Sequence, residues 1–539
     1  MNTVNPKSAA PLTHARSYER DRLGENAARL AQCSERKRSD LGIAPGSAEL
    51  QLRILCDTRS IAQLNDPRAM APAHHRFSQT RRKRRVPRRI HVFSLLLGVA
   101  LTPLTAAPLI PAKSPTTPVL LRGGTVHPVS GLSPGIADIL IVNGRIAAID
   151  AQLAPSSETR IVNVAGQHIY PGLIAANTSL GVHEISSIVA TLDVTETGPI
   201  NPNARAQVAV NPDNAHLGVT RLNGILSTLV VPVSGLIGGP APALIAGQSA
   251  LMRLEGWTWE EMTLRDSVAL HIYWPDVTLD RRPRGAKPLD EQQKQIDRKL
   301  ETIREAFAQA RAYQRSKDGG VRPETDTRWE AMLPFVRGDR PIFIHADELK
   351  QIASALDWAQ SEEKLKVTLV GGLDAWRVAA RLKARDIPVV LGGTHQLPLR
   401  RDDSYDAAFT VAAKLHAAGV RFCIAPAGVG SNGQDRNLAY QAAKAAAHGL
   451  PPAEALKAIT LYPAQILGVG DELGSIDVGK RATLIVTDGD PLEITTQVTL
   501  ALIDGAEITL RSRHTELRDK YQERIRRVNE ARPKSAVAR

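Results

Sequence analysis

The sequence has only three cysteines in 539 residues and lacks an uninterrupted apolar run long enough to cross a bilayer. Cys33 and Cys56 lie in a polar N-terminal stretch, which leaves Cys423 as the single cysteine of the part that has a folded pattern. This excludes a fold held together by disulfides. Cys423 lies in a strand-like run, RFCIA, where a small core residue is a better interpretation than a nucleophile. The sequence also has no internal repeats.

An excess of positive charge is found only in the N-terminal part of the sequence. The formal net charge is +13, and residues 1–89 account for +11 of it, with eight Lys or Arg between Arg76 and Arg89. The remaining residues are therefore nearly neutral. Because binding to nucleic acid needs a basic face on the folded domain itself, we expect no nucleic-acid partner.

The apolar stretch 90–107 follows the basic cluster and ends in small residues, an arrangement typical of a signal peptide. Cleavage would fall near Ala106 or Ala107, and the mature protein would be periplasmic or secreted. An uncleaved membrane anchor is the alternative, although Pro103 interrupts the run and about 20 apolar residues are needed to span a bilayer. Because a signal peptide starts a chain, we infer that Met70 is the native start. Residues 1–69 are then a disordered extension or a mis-assigned start, and residues 70–107 are the signal peptide.

The next part of the chain predicts an α/β fold flanked by β-structure. Short β-branched runs ended by Gly, Asn or Asp precede and follow a long stretch in which apolar strands alternate with Ala-rich helices, the pattern of βα units. We predict strands at 224–231, 268–273, 341–345, 366–370, 387–391 and 420–425, and helices at 349–360, 374–384, 406–418 and 439–448. The charged run 283–335 is interpreted as a helical insertion rather than a binding site. A final amphipathic helix, 515–528, is expected to pack on the outside.

Several segments, in their order, resemble the imidazolonepropionase-like branch of the amidohydrolase superfamily: IVNGRIAAID, HIYPGLIAANTSLG, LEGWTWEEM and GSIDVGKRATLIV. The resemblance implies an α/β fold, a (β/α)8 TIM-type barrel at 169–468. It also implies a small composite β-sandwich built from both flanks, 108–168 and 469–512, followed by a C-terminal helix and tail at 513–539. The activity that it implies is hydrolysis of non-peptide carbon–nitrogen bonds in amides or cyclic amides, assisted by a divalent metal, usually zinc, at the C-terminal mouth of the barrel.

The resemblance also implies where the metal ligands should lie, and most of these positions are changed. Asn177 and Ser179 stand where the family has the two histidines of Asp-x-His-x-His on strand one. His345 is the only retained ligand position, Val370 replaces the strand-six ligand, and no carboxylate follows strand eight until Asp435. Since a catalytic zinc site needs about three protein ligands, we expect that zinc is not bound.

Two functions remain open. One is a hydrolase of the implied type whose metal ligands are largely lost; the other is a catalytically inactive pseudo-amidohydrolase that binds a small molecule or a protein in the periplasm. In both, the predicted substrate-binding residues are Asn177, Ser179, His345 and His395. A contact between Ser179 and His345 would allow a Ser–His nucleophile, and the alternative for His345 is a structural histidine at the barrel mouth.

The remaining polar candidates near strand ends, Glu184, His271 and Asp406, are interpreted as surface or structural residues. Trp257 and Trp259 could form an exposed binding loop, but core packing is the favoured interpretation. We expect a small-molecule partner and membrane contact only through the signal or anchor segment. The sequence gives no indication of oligomeric state.

Overall fold

Eight short strands from the two flanks of the chain form one sheet, and a barrel-type α/β domain lies between these flanks in sequence. The computed structural model describes residues 110–531, except 132, 236–241, 283–284, 321–322, 363 and 427–431. The predicted extension 1–69, the signal peptide 70–107, Met70, Cys33 and Cys56 lie outside the described residues. In the described part of the chain, none of the helices is long and apolar enough to span a bilayer.

The strands are β1 (Val119–Val126), β2 (Gly135–Val142), β3 (Arg145–Asp150), β4 (Arg160–Asn163), β5 (His168–Pro171), β6 (Leu173–Thr178), β7 (Ile225–Val230), β8 (Ile245–Gln248), β9 (Ala250–Arg253), β10 (Thr263–Arg265), β11 (Leu270–Tyr273), β12 (Ile342–Ala346), β13 (Val367–Gly371), β14 (Val389–Leu391), β15 (Phe422–Ile424), β16 (Leu484–Thr487), β17 (Val498–Ile503) and β18 (Ala506–Glu507). The α-helices are α1 (Ala215–Arg221), α2 (Trp259–Met262), α3 (Leu289–Asp318), α4 (Thr327–Val336), α5 (Leu349–Ser361), α6 (Ala379–Ala384), α7 (Val411–Ala418), α8 (Leu438–Ala447), α9 (Pro452–Lys457), α10 (Leu461–Ile466) and α11 (Arg513–Ala531).

The flanking sheet joins the two ends of the fold. Its strand order is β18-β17-β16-β5-β1-β2-β3, and β4 pairs with β1. The junction is the antiparallel pairing of β16 with β5, in which Ile485 lies opposite Tyr170. Alternate apolar residues of β1, β2 and β16 are buried in one cluster that includes Leu121, Ile139 and Leu484. The predicted composite β-structure from both flanks is therefore confirmed.

Among the described residues, the barrel-type domain contains seven parallel strands and three short antiparallel strands, β8, β9 and β10, which the sequence analysis missed. Strands β11 to β15 are parallel neighbours, as are β6 and β7. Between these groups, β8 pairs with β11 and β9 pairs with β7, both antiparallel, with only Ser249 separating β8 from β9. On the other side, Ala458 accepts a hydrogen bond from Ile424 of β15 and Ile459 accepts one from Ile174 of β6, each at 2.9 Å. The TIM-barrel-type α/β fold is confirmed, with mixed sheets.

The charged run 283–335 contains a long helix with a buried stripe. Helix α3 buries Ile296, Ile303, Ala306, Phe307 and Ala310, and the Phe307 ring lies 5.0 Å from the ring of Trp358 on α5. Because these apolar residues recur at helical spacing in a highly charged sequence, they bury one face while the rest remains solvated. Helices α3 and α4 together connect the neighbouring parallel strands β11 and β12.

Candidate functional site

The carboxyl ends of β11 to β15 carry a line of neighbouring residues that includes the retained histidine. Strand pairing places five residues side by side, which we call the His345 row: Tyr273, His345, Val370, Val390 and Cys423. Val370, Val390 and Cys423 are buried in one apolar cluster with Phe343. Burial raises the pKa of the Cys423 thiol, which disfavours the thiolate that a metal requires. His345 is then the one imidazole of a largely apolar row.

His345 is held by two aromatic neighbours on β11. Its Nε2 lies 2.8 Å from Nδ1 of His271, and its ring stacks on Tyr273 with centroids 4.0 Å apart and planes inclined by 12°. Tyr273 donates its hydroxyl hydrogen bond to the carbonyl of Pro232 at 2.9 Å. Alternate residues of a strand share one face, which is why β11 presents His271 and Tyr273 together. These contacts fix the orientation of the His345 ring.

The histidine pair is electrostatically neutral. Burial lowers the pKa of His345 to about 3, and burial together with the nearby His345 lowers the pKa of His271 well below 6.5. A buried imidazolium is disfavoured because it loses its hydration without gaining a counter-charge. In the shared hydrogen bond one ring donates and the other accepts, and which one donates depends on the tautomers. Nε2 of His271 is buried and has no hydrogen-bond partner among the described residues.

Asn177 and Ser179 lie where β6 leaves its regular pairing with β7. The register shifts between Ala175 and Thr178, and Thr178 makes a 2.7 Å side-chain hydrogen bond with Thr228. Asn177 is 5% exposed, and its Oδ1 has no partner within the part of the chain that the structure describes. Ser179 is also buried. A buried amide oxygen that is left unsatisfied indicates a position where a ligand or water donates a hydrogen bond.

Asp435 carries another buried polar atom that has no partner among the described residues. It lies in a short 3-10 helix, Asn432–Asn437, which contacts β6 and α1. The residue is 1% exposed and its Oδ2 makes no hydrogen bond among the described residues. Burial raises the pKa of this carboxyl well above 3.8, because the charged form loses its hydration. As a neutral acid, Asp435 has a hydroxyl group that can donate a hydrogen bond.

Asp347 also lies at a strand end of the barrel, two residues after His345. Its Oδ1 lies 2.6 Å from the position that a Cβ atom on Gly371 would occupy. Gly371 itself has a φ of +94°. Burial, and to a smaller extent the carboxylates of Asp374 and Glu348, raise the pKa of Asp347. Its carboxyl therefore lies against Gly371, the last residue of β13 and the neighbour of Val370 in sequence.

The other predicted residues are dispersed. The backbone N–H of His395 donates to Oε1 of Gln441 at 2.8 Å, and burial and Lys444 lower the pKa of the His395 ring. The backbone carbonyl of Glu184 bonds with the ring of His216 at 3.0 Å. Asp406 accepts a hydrogen bond from Ser404, which lowers the pKa of Asp406. None of these contacts links the three residues to His345.

The two tryptophans differ from each other. Trp259 starts α2 and is packed against the main core, as the core-packing interpretation predicts. Trp257 is 62% exposed, and its backbone N–H donates to Oε2 of Glu261 at 2.9 Å. Core packing is therefore wrong for Trp257, whose ring lies mostly in solvent.

The side chains near His345 can be tested against the divalent metal that the resemblance implies. No three His, Cys, Asp or Glu side chains among the described residues come close enough to hold a metal ion. Nε2 of His345 already faces His271. The neighbour of His345 in the row on β13 is Val370, which has no donor atom. The available groups are thus two neutral imidazoles, an amide, hydroxyls and the carboxyls of Asp347 and Asp435, and no three of the His, Cys, Asp or Glu side chains described converge as the roughly three ligands of a zinc site do.

One cavity in the described part of the chain lies away from this site. It has a volume of about 780 Å³ and is lined by residues at the amino ends of β11 to β15, including Val268, Pro341, Lys366 and Arg421. Barrels of this type place ligands at the carboxyl ends of the strands, while the opposite face contributes to stability. We therefore assign the site from its side chains and strand positions rather than from cavity size.

Sequence reasoning missed three contributors to this site: His271, Tyr273 and Asp347. His271 was interpreted as a surface or structural residue, whereas it is fully buried against His345. The signal was present as the period-two spacing of His271 and Tyr273 on one predicted strand, next in order to the strand of His345 and Asp347. Asp435 was noticed but was not assigned, because its distance along the chain from strand eight gave no geometry.

Comparisons with known proteins agree with this fold. Residues 266–509 match the model of the family described as the amidohydrolase family. A solved structure of an amidohydrolase from Thermotoga maritima MSB8 is 24% identical, with a TM-score of 0.63 over 73% of this chain and 100% of that chain. At this identity the likeness concerns the fold.

Two curated relatives are also similar to this chain. Amidohydrolase TasK of Hapsidospora irregularis is 24% identical over 412 residues, which are 69% of this chain and 39% of that protein. N-substituted formamide deformylase of Arthrobacter pascens is 45% identical over 58 residues, 10% of this chain and 11% of that protein. The chain thus spans well under half the length of either curated relative that it matches.

Proposed function

Because the chain belongs to the amidohydrolase superfamily, we propose that it is a member that has lost metal-dependent hydrolysis and uses its barrel mouth to bind a small molecule. This proposal rests on the contacts that the His345 side chain makes. Its Nε2 is engaged by His271, its ring is stacked on Tyr273, and its neighbour on β13 is Val370. A retained ligand residue has thereby become part of an internal aromatic cluster.

The donor set does not fit a zinc-type site. A catalytic divalent metal needs about three protein ligands and one open position. Asn177 offers only an amide oxygen, a ligand of the kind used for calcium rather than zinc. Ligation of His345 through Nε2 would also require the contact with His271 to break. We therefore derive no catalytic step through a metal.

The chemistry of the mouth favours an uncharged polar ligand. Burial disfavours the charged forms of the histidine pair and of Asp435, and the side-chain oxygen of Asn177 has no partner among the described residues. A charged ligand would leave water without a counter-charge, whereas an amide or cyclic imide could donate to Asn177 and accept from Asp435. We propose this class of ligand, bound in the periplasm after export.

Hydrolysis of a non-peptide carbon–nitrogen bond without metal is a second candidate, and Asp435 is the observation that favours it. A buried carboxyl with a strongly raised pKa has the character of a general acid. The names of the two curated relatives, an amidohydrolase and a deformylase, agree with this reaction class. Ser179 and His345 remain a predicted nucleophile pair for such a reaction, with Nε2 of His345 facing His271 in this structure.

Metal content and turnover distinguish these possibilities. The full chain is purified with added zinc and manganese, bound metal is measured by elemental analysis, and N-acyl amino acids, dipeptides and cyclic imides are assayed as substrates. We expect far less than one equivalent of metal and no turnover. About one tightly held equivalent together with turnover would overturn the proposal. Turnover that survives chelation and is lost in Asp435→Asn would favour the second candidate.

Binding is tested separately by ligand-induced thermal stabilisation with the same compounds. A ligand present at about 100 times its Kd stabilises the folded state by about 2.7 kcal/mol. The shift should disappear in Asn177→Leu, while the variant without ligand still unfolds cooperatively. Glu184→Gln is the matched control, because the interaction of Glu184 with His216 uses only the backbone carbonyl. If no compound in the panel stabilises the protein, the proposed ligand class is wrong.

A further inference from the structure

Helix α11 carries an apolar stripe that the described part of the protein leaves uncovered. The helix spans Arg513–Ala531 and buries none of its residues, although it contacts α1. The stripe consists of Leu517, Tyr521, Ile525 and Val528, which are between 39% and 59% exposed. Their spacing of four, four and three residues puts them on one face. The expectation that this helix packs on the outside of the fold is wrong for the stripe.

Basic and acidic residues occupy different faces of the helix around the stripe. At 100° per residue, Arg518 and Arg524 border the stripe on its two sides, with Arg513 and Lys520 next to them. The opposite face carries all four acidic residues of the helix, Glu516, Asp519, Glu523 and Glu530. Arg526 lies nearer that face, Arg527 lies between Lys520 and that face, and both pair with Glu523. The exposed Arg518 pairs with its neighbour Asp519. An apolar stripe with basic borders and an acidic outer face fits the boundary between lipid headgroups and acyl chains.

We propose that α11 docks this stripe on an anionic membrane surface. The four apolar side chains would enter the headgroup boundary while the bordering arginines approach lipid phosphates, leaving the acidic face in water. The proposal is independent of the barrel mouth. It adds a membrane contact far along the chain from the predicted signal or anchor segment.

A second copy of the same helix fits the stripe less well. If Tyr521 occupies an a position of a coiled coil, Arg513, Lys520 and Arg527 occupy the g positions along one edge of the stripe. An antiparallel pair would oppose this basic edge to itself, and a parallel pair would oppose Arg513 to Arg518. Like charges at these positions disfavour self-association, whereas an anionic surface is complementary to them.

Vesicle co-sedimentation of the full chain tests the proposal. The probes are vesicles of phosphatidylcholine alone and of phosphatidylcholine mixed with phosphatidylglycerol. We expect about tenfold or stronger binding to the anionic vesicles, falling as NaCl is raised, since each basic residue near such a surface contributes about 1 kcal/mol. Equal binding to both vesicle types would overturn the proposal.

Paired variants separate α11 from every other segment, because the rest of the chain is unchanged. Leu517→Ser with Ile525→Ser should reduce binding to anionic vesicles at least about tenfold. The matched control, Gln522→Ser with Asn529→Ser, makes the same number of serine substitutions beside the stripe and should bind like the parent. Unchanged binding of the stripe variant would refute the proposal. Sedimentation velocity showing that the stripe variant converts an oligomer into a monomer would assign the stripe to self-association instead.

Discussion

Nδ1 of His271 lies 2.8 Å from Nε2 of His345, across the neighbouring parallel strands β11 and β12. Neither imidazole has a carboxylate partner in this contact, and both have lowered pKa values because they are buried. The pair therefore acts as a neutral hydrogen-bonded unit that fixes the ring stacked on Tyr273. This relationship has a measurable consequence for acid stability.

We predict that the protein loses stability as the pH falls below about 6.5 and that His345 contributes to the loss. The pKa of His345 is about 3 in the folded state, against an ordinary value of 6.5. Between these values the unfolded chain binds one proton more than the folded chain, so the free energy of unfolding decreases with falling pH, by up to about 1.4 kcal/mol per unit for one group. His345→Gln should flatten this dependence.

The measurement is urea unfolding at several pH values between the two pKa values of His345. His514→Gln, at an exposed position of α11, is the control and should leave the slope unchanged. The prediction fails if His345→Gln shifts stability equally at all pH values, since that would indicate lost packing rather than a changed proton balance.

How far the sequence predicts this site depends on the residue. The parallel strands and the position of His345 followed from apolar runs of strand length and from the order of the segments. The partner of His345 did not, because pairing between β11 and β12 sets the register that brings His271 into reach. Asp435 illustrates a different limit: its burial depends on the packing of a short 3-10 helix against β6 and α1, which no local pattern encodes.

The antiparallel strands β8 and β9 were missed for a physical reason. Strands β8 and β9 are four residues each and are interrupted by Ser249, and Gly247 lies within β8. This run is too short and too rich in small residues to give a clear strand signal. The glycine is required there because a Cβ atom would lie 2.7 Å from the carbonyl oxygen of Ala204. Long-range backbone approach, rather than local propensity, determines this part of the fold.

Asp435→Asn should stabilise the protein at neutral pH and have little effect in acid. The pKa of Asp435 is raised well above 3.8 in the folded state, so the folded chain holds a proton that the unfolded chain releases. The free energy of unfolding therefore falls as pH rises above about 4. Replacing the acid by an uncharged amide removes this loss, and we expect a gain of about 1–3 kcal/mol at pH 7.

Thermal unfolding at pH 7 and near pH 3.5 measures this difference. Asp402→Asn, at an exposed position before α7, serves as the control for a charge change alone. Equal effects of Asp435→Asn at the two pH values would contradict the predicted proton linkage.

Removing one partner of the buried ion pair between Arg221 and Glu255 should strongly lower the free energy of unfolding. Both side chains are about 10% exposed, Arg221 also donates to the carbonyl of Leu254 at 3.1 Å, and burial lowers the pKa of Arg221 to about 10. Glu255 in turn accepts a hydrogen bond from the backbone N–H of Ala112 at 2.8 Å. Glu255→Ala leaves an unpaired buried guanidinium, and we expect a loss of about 3–5 kcal/mol.

Urea unfolding of a double-mutant cycle separates the charge from the packing. The double variant Arg221→Met with Glu255→Met should be clearly more stable than Glu255→Ala, because no unpaired charge remains. Asp280→Ala, which removes the exposed partner of Arg282, is the control and should change stability little. A double variant as unstable as the single one would show that packing, not charge, dominates at this site.

Gly371→Ala should destabilise the barrel mouth through a defined contact. The residue has a φ of +94°, which strains any side chain, and a Cβ atom would lie 2.6 Å from Oδ1 of Asp347. We expect a loss of about 1–3 kcal/mol in urea unfolding. Gly135→Ala is the matched control, because a Cβ atom there meets open space. The double variant Gly371→Ala with Asp347→Ser should recover part of the loss if the clash with the Asp347 carboxyl is the cause, provided that Asp347→Ser alone does not stabilise the protein. No recovery would assign the loss to backbone strain at φ +94°.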